Sequence, residues 1–341
     1  MDIYPGKLKE GIKIHNWSEI SPDFIGADLL LGNGFSINLV GHLKYESLFQ
    51  KFVDNLEFED QEIFTSFHNN NFELIQETLI NALEVNKLFK IKPSDGIIRA
   101  IDILRNGLIK SIKSNHPSYS NINQAQLTRI AIQLDEFGDI YTLNYDLFLY
   151  HIIMLVKDRC EKDKTKQKYS DYFWKEYEAD ARFNQFMDSD EYPNKHIHYL
   201  HGALFIFEEP IHTVKIIRRG NKNELIDLID EAIVDGIIPL FISEGKPEKK
   251  LEAIRSNDYL TFALREFRDS NNKLIIYGSS LSTQDAHIVN AISRRSNKEL
   301  AIAIHIDEKN QGQISKDLAR FNEIFYKHKI SFFDSDTIFK F

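Results

Sequence analysis

The amino-acid sequence predicts an α/β fold built on a doubly wound parallel sheet. Short apolar runs without clean alternation, each ending in a glycine-rich or polar turn, read as strands buried on both faces. Between them lie apolar residues at helical spacing, and strands alternating with helices indicate a parallel sheet. The 341 residues are 43% hydrophobic and 27% charged, a globular mixture long enough to bury a sizeable core.

The runs, in order, are 27–31 before GNGFS, 140–143 before NYD, 197–200 before HG, 274–277 before GSS and 300–306 before DEKN. Phe72, Ile75, Leu79 and Leu83 share one helical face. So do Leu127, Ile130, Leu134 and Phe137, after which Gly138 stands where a helix C′ glycine belongs. Leu225, Leu228, Ile229, Ala232 and Ile233 form a stripe closed by Gly236, and 251–267 and 314–325 read as two further helices. Stretches near 41–126 and 158–195 read as helical insertions forming a second, smaller helical module. The chain, 1–341, is then a single unit with core segments near 24–40, 127–157, 196–210 and 237–341.

Forty-two basic against 51 acidic residues leave a net charge of −9, so a general electrostatic footprint for nucleic acid is missing. The short basic clusters Arg218-Arg219, Lys249-Lys250 and Arg294-Arg295 read as solvated surface. One cysteine, Cys160, excludes an intrachain disulfide and a Cys-rich zinc ribbon. The N-terminal stretch lacks a secretory pattern, and no window approaches the roughly 20 apolar residues that span a bilayer. A soluble, cytoplasmic protein is expected, with no direct nucleic-acid or membrane partner.

Ligands of open α/β sheets bind beyond the carboxyl ends of the strands, so chemistry is sought in the turns. In LLLGNGFS, Gly32 and Gly34 permit a tight turn and close backbone approach to a diphosphate; a plain strand-to-helix turn needing positive φ is the alternative. In YTLNYD, Asp146 reads as a helix cap, whereas Asn144 is a costly amide at a strand end unless its hydrogen bonds are used. His196, His198 and His201 do not share one strand face, so a metal site is not expected; His201-Gly202 suits a single general base. In LIIYGSSLSTQDAHI, Gly278 allows close approach, Ser279 and Ser280 offer donors, and Ser282 with Asp285 approximates a capping box.

Taken in chain order, Gly32, Gly34 and Ser36, then Thr142, Asn144 and Asp146, then His201 and Gly202, then Gly278 to Leu281, resemble the NAD-binding and catalytic signature of the sirtuin superfamily. The stretch IIPLFISEGKPEKKLEAIRSNDYLTFAL and the later SLSTQDAHI look like a zinc-free, uncharacterised bacterial branch of it, and the resemblance covers most of residues 27–307. It implies a Rossmann-like, sirtuin-like sheet without a zinc ribbon. The chain departs from the family where Leu143 replaces a glutamine and where the four zinc-binding cysteines are missing. Those departures speak against acyl-lysine binding more than against NAD.

The resemblance implies a regulated NAD hydrolase of antiphage defence, releasing nicotinamide and ADP-ribose through an oxocarbenium-like state. Nicotinamide leaves as a neutral group, so a strong general acid is unnecessary. Gly32, Asn33, Gly34, Phe35 and Ser36 would serve the diphosphate and a lid, and Thr142 belongs to the NAD-binding set. Asn144 would position water and ribose, His201 would act as base, and Asp146 would hold the nicotinamide end or orient Asn144. Gly278, Ser279 and Ser280 would contact phosphate or adenosine ribose, and Asp307 the adenosine hydroxyls. Low basal activity with activation by self-assembly or a partner on the helical insertions is expected. An NAD-dependent deacylase and a non-enzymatic NAD or ADP-ribose sensor are the alternatives.

Overall fold

The computed structural model describes the chain except residues 1–11, 41–49, 51, 68–71, 116–120, 163–168, 190–194, 210–211, 218–223, 236, 238, 243–246, 308–310 and 340–341. Its strands are β1 (Ile14–His15), β2 (Asp28–Leu31), β3 (Ile140–Thr142), β4 (Tyr169–Ser170), β5 (Phe173–Glu176), β6 (Phe183–Phe186) and β7 (Lys195–Tyr199). They continue with β8 (Gly202–Glu209), β9 (His212–Ile216), β10 (Pro239–Phe241), β11 (Leu274–Tyr277), β12 (Glu299–Ile304) and β13 (Lys329–Asp334).

Eight strands form one all-parallel sheet in the order β1-β13-β12-β11-β2-β3-β7-β4. The central six, β7-β3-β2-β11-β12-β13, follow the 3-2-1-4-5-6 order of a doubly wound sheet, which places the topological switch between β2 and β11. Every residue of β2, β3 and β11 is buried, which is why these strands read as unbroken apolar runs. Leu29, Leu30, Ile140, Ile275 and Ile276 form the centre of the core.

A second sheet, β10-β8-β9-β6-β5, is antiparallel. Gly202 makes the passage from one sheet to the other. Its φ of +77° favours glycine, and a Cβ there would lie 2.1 Å from the Leu240 carbonyl oxygen. This sheet corrects the expectation of a helical insertion at 158–195. After the helix Phe148–Lys162 the described part of that stretch supplies β4, β5, β6 and the start of β7. The stretch 41–126 is helical where described, with Phe58–Thr65, Phe72–Phe89 and Asp95–Asn115, and Phe52 packs edge-on against Phe64 at 5.0 Å.

Smaller expectations also change. The stretch 251–267 belongs to two helices, Pro247–Ser256 and Asp258–Asp269, because the Asn257 side chain accepts from the Leu260 amide and starts a new helix. Gly138 has no positive φ; it is glycine because a Cβ would meet the Gly26 carbonyl oxygen at 2.8 Å and Asp28 Oδ1 at 2.9 Å. Gly236 and Arg218-Arg219 lie outside the described residues. Two supposed surface cations are interior ones. Arg295 pairs with Asp28 at 2.5 Å, the two side chains being 1% and 0% exposed, and Lys250 is fully buried. No described helix is long and apolar enough to cross a membrane.

Candidate functional site

The turns after β2, β3, β7 and β11 meet at the carboxyl end of the parallel sheet, on either side of the switch point. After β2 the chain enters the short helix Asn33–Leu39 through Gly32, whose φ of −113° is ordinary extended backbone. Glycine is needed there for space. A Cβ on Gly32 would lie 2.5 Å from Ser279 Cβ, and one on Gly34 would lie 2.7 Å from Gly278 Cα. The Gly32 amide donates to the Tyr277 carbonyl at 2.9 Å and the Gly34 amide to the Gly278 carbonyl at 2.8 Å. The twin glycines thus zip the β2 turn onto the β11 turn, and those two amides are committed within the protein.

The β3 turn locks onto the same place. Asn144 Nδ2 donates to the Gly32 carbonyl at 3.0 Å and to Ser36 Oγ at 2.9 Å, which fixes the amide orientation because a carbonyl must receive a donor. Ser36 Oγ in turn donates to Asp146 Oδ2 at 2.5 Å. Asp146 Oδ1 accepts from the amide of Phe148, the first residue of its helix, so the expected cap is present as well. The Asn144 amide donates to Thr142 Oγ1 at 3.0 Å. Ser36, Thr142, Asn144 and Asp146 are all buried. Four residues separated by up to 110 positions therefore form one network.

Phe35 is brought to the core instead of a ligand-facing lid, edge-on to Tyr277 at 6.3 Å and Phe339 at 5.5 Å. Asn33 and Ser279 are half-buried at the rim and Ser280 is exposed. In the Gly278 turn, Gly278 takes a φ of +70°, which glycine adopts freely, and Leu281 a φ of +45°, which is strained for a residue with a side chain. Arg320 holds it by donating to the carbonyls of Ser280 and Leu281. Asp307 is exposed beyond β12, one strand further from the switch point than β11.

His201 follows β7, beside β3. Tyr145 ties the two turns together: its hydroxyl donates to the Ile242 carbonyl at 2.5 Å, the Ile242 amide donates to the His201 carbonyl at 2.9 Å, and the Leu204 amide donates to the Tyr145 carbonyl at 3.0 Å. His201 is 3% exposed, and its Nε2 lies 2.8 Å from Nε2 of His287, on the helix Ala286–Arg294. Burial holds His201 well below the usual histidine range, with His287 and the Lys250 cation adding to it. Burial and Lys250 lower His287 to about 3. The ring is a far weaker base than a free imidazole. Lys250 Nζ lies 3.5 Å from Asp285 Oδ1, and the Ser282 hydroxyl donates to Asp285 Oδ2 at 3.4 Å in place of a capping box.

His287 and Lys250 escaped the sequence analysis. The first looked like any helix residue and the second like half of a solvated pair. His198 has a different position, stacked on Tyr141 at 4.7 Å and 11°, with both ring nitrogens unpaired and its pKa lowered by burial to about 3. His196 lies 3.7 Å from Asp139. Among the described residues no three His, Cys, Asp or Glu side chains are gathered to hold a metal.

The fold and the site define an α/β protein whose buried polar residues converge at the switch point of a doubly wound sheet. The chain belongs to the family described as a domain of unknown function, DUF4917, whose model matches residues 29–339. No curated protein matches it. Among solved structures it is similar to a chain described under "Structural Basis for the Mechanism and Regulation of Sir2 Enzymes", with 11% identity and a TM-score of 0.37, covering 91% of this chain and 96% of that one.

Proposed function

We propose that the carboxyl rim of the parallel sheet binds NAD and hydrolyses its nicotinamide–ribose bond. The observation that carries this reading is the buried Ser36–Asn144–Asp146 network seated on the twin-glycine turn at the switch point. Buried polar networks are costly unless satisfied, and this one stands where doubly wound sheets place their ligands. The signature of turns described from the sequence supports NAD as the dinucleotide.

Asn144, its amide hydrogens spent on Gly32 and Ser36, is a rigid group at the strand end and would orient the ribose and the attacking water. Asp146 acts through Ser36 and the helix start, holding the turn. The amides of Gly32 and Gly34 serve the protein, so the diphosphate falls to Asn33, Ser279 and Ser280, with Asp307 toward the adenosine. Departure of neutral nicotinamide requires no acid, and orienting a near-attack water accounts for most of what such a site must do.

Activity would be low until the protein self-associates or meets a partner through the helices between 41 and 126. Leu88, Phe89 and Ile91 stand 75%, 69% and 51% exposed there. An NAD-depleting enzyme under such control suits antiphage defence in the cytoplasm. The test is purified protein with NAD, with nicotinamide and ADP-ribose followed over time at several protein concentrations. Release that rises with protein concentration is expected; an NAD pool that stays intact at every concentration contradicts the reading.

A further inference from the structure

We infer that His287 and Lys250 are positioning residues that act through His201, His287 by holding one proton between the two rings and Lys250 by keeping that pair uncharged. The inference deepens the NAD-hydrolysis reading and, for its effect on the reaction, rests on it.

At a 2.8 Å separation of Nε2 from Nε2, two bare nitrogens or two N–H groups would repel, so one ring donates and the other accepts. The direction follows from the other side of His287. Its Nδ1 is buried without a partner. A hydrogen there would be a desolvated donor with nothing to bond, and the positive charge of Lys250, which acts on this ring, favours a bare lone pair over a further N–H. His287 therefore carries its hydrogen on Nε2 and donates to His201, and His201 carries its own on Nδ1. His201 then presents an N–H to a ribose hydroxyl or water and orients it without removing a proton.

The charged groups facing the pair can be placed on each packed element. The helix Pro247–Ser256 contributes Lys250, fully buried, and the turn Thr283–Asp285 contributes Asp285, 3.5 Å beyond it. The helix Asp258–Asp269, packed against both Ala286–Arg294 and Pro247–Ser256, buries Tyr259, Leu260, Phe262, Ala263 and Phe267. Adding a proton to either ring would set a second buried cation beside Lys250.

The test uses full-length protein with 15N-labelled histidines, assigned with His201→Gln and His287→Gln. The expected spectrum shows His287 as the Nε2–H tautomer and His201 as Nδ1–H, unchanged from pH 8 to 5.5. Nicotinamide release should stay within about 2-fold over that range. Lys250→Met removes one of the influences that keep the pair neutral while burial remains, so the pair should take up a proton at higher pH than in the intact protein and release should fall by more than about 2-fold by pH 5.5. Lys250→Arg should keep the flat profile. His287→Phe should lower kcat at least 10-fold with KM for NAD little changed. A His201 ring that titrates near pH 6.5 in the intact protein, or a Lys250→Met protein with unaltered tautomers and profile, would overturn the inference. Expected tautomers in a protein that releases no nicotinamide would overturn the hydrolysis reading and leave the pair standing.

Discussion

Three buried histidines, His198, His201 and His287, stay neutral in the folded chain far below the pH at which they protonate when exposed. In the unfolded chain each takes up a proton as pH falls through about 6.5. The unfolded state thus binds more protons, and stability must rise with pH between about 3 and 6.5. Their contribution is full above 6.5 and is lost below it, each ring adding a slope of about 1.4 kcal/mol per pH unit. Denaturant titrations at pH 7.5, 6 and 5 should show this decline. His198→Phe, placed among Tyr141, Tyr172 and Phe262, should remove one ring's share of the slope; a stability flat across that window would contradict the burial of all three. Asn144→Ala leaves a buried carbonyl and hydroxyl without their donor, at a cost of about 1–3 kcal/mol. If Asn144 also places the water, that variant should lose nicotinamide release by about 10²-fold or more. Thermal unfolding beside the turnover assay separates the two effects.

The glycines of the strand-end turns carry their meaning at the level of elements. Gly34→Ala would press a methyl against Gly278 Cα at 2.7 Å, backbone against backbone, and should lower the melting temperature by several degrees. Gly312, in the helix Gln311–Ile324 with open space around it, should instead tolerate alanine with a gain of up to about 1 kcal/mol. Equal effects from the two substitutions would refute the zipped-turn account. At the opposite end of β2, Asp28 accepts from Arg295, Ser270 Oγ and Asn272 Nδ2. Arg295→Met strands that carboxylate and should cost about 3–5 kcal/mol. The parallel strands were legible because burial on both faces makes them apolar throughout. The antiparallel sheet was not: β5 buries Phe173 and exposes the three residues after it, too short a pattern to distinguish from helix. Pairing partners far along the chain, Asp285 for Lys250 and Asp28 for Arg295, leave no local trace, so both cations looked like surface. The site was legible as a set of turns, and the structure joins Ser36, Thr142, Asn144 and Asp146 while sending Phe35 to the core. His287 carried no signal, since its contact with His201 exists only in the folded chain.

Across the whole molecule, the parallel sheet gathers the polar turns at one rim, the antiparallel sheet is reached from that rim through Gly202, and helices lie between 41 and 126 beyond β2. If those helices control assembly, replacing exposed Leu88 and Phe89 with serine should leave the fold intact. It should also abolish any rise in specific activity with protein concentration, read by turnover beside sedimentation. The central claim is that the Asn144 network and His201 serve one reaction on NAD. It is tested most directly by measuring nicotinamide release from NAD by the folded wild-type protein and by folded Asn144→Ala and His201→Ala variants, at the protein concentration of highest activity. The account predicts stoichiometric nicotinamide and ADP-ribose from the wild type and a loss of about 10²-fold or more in each variant. Undiminished release from either variant, or none from the wild type, would contradict it.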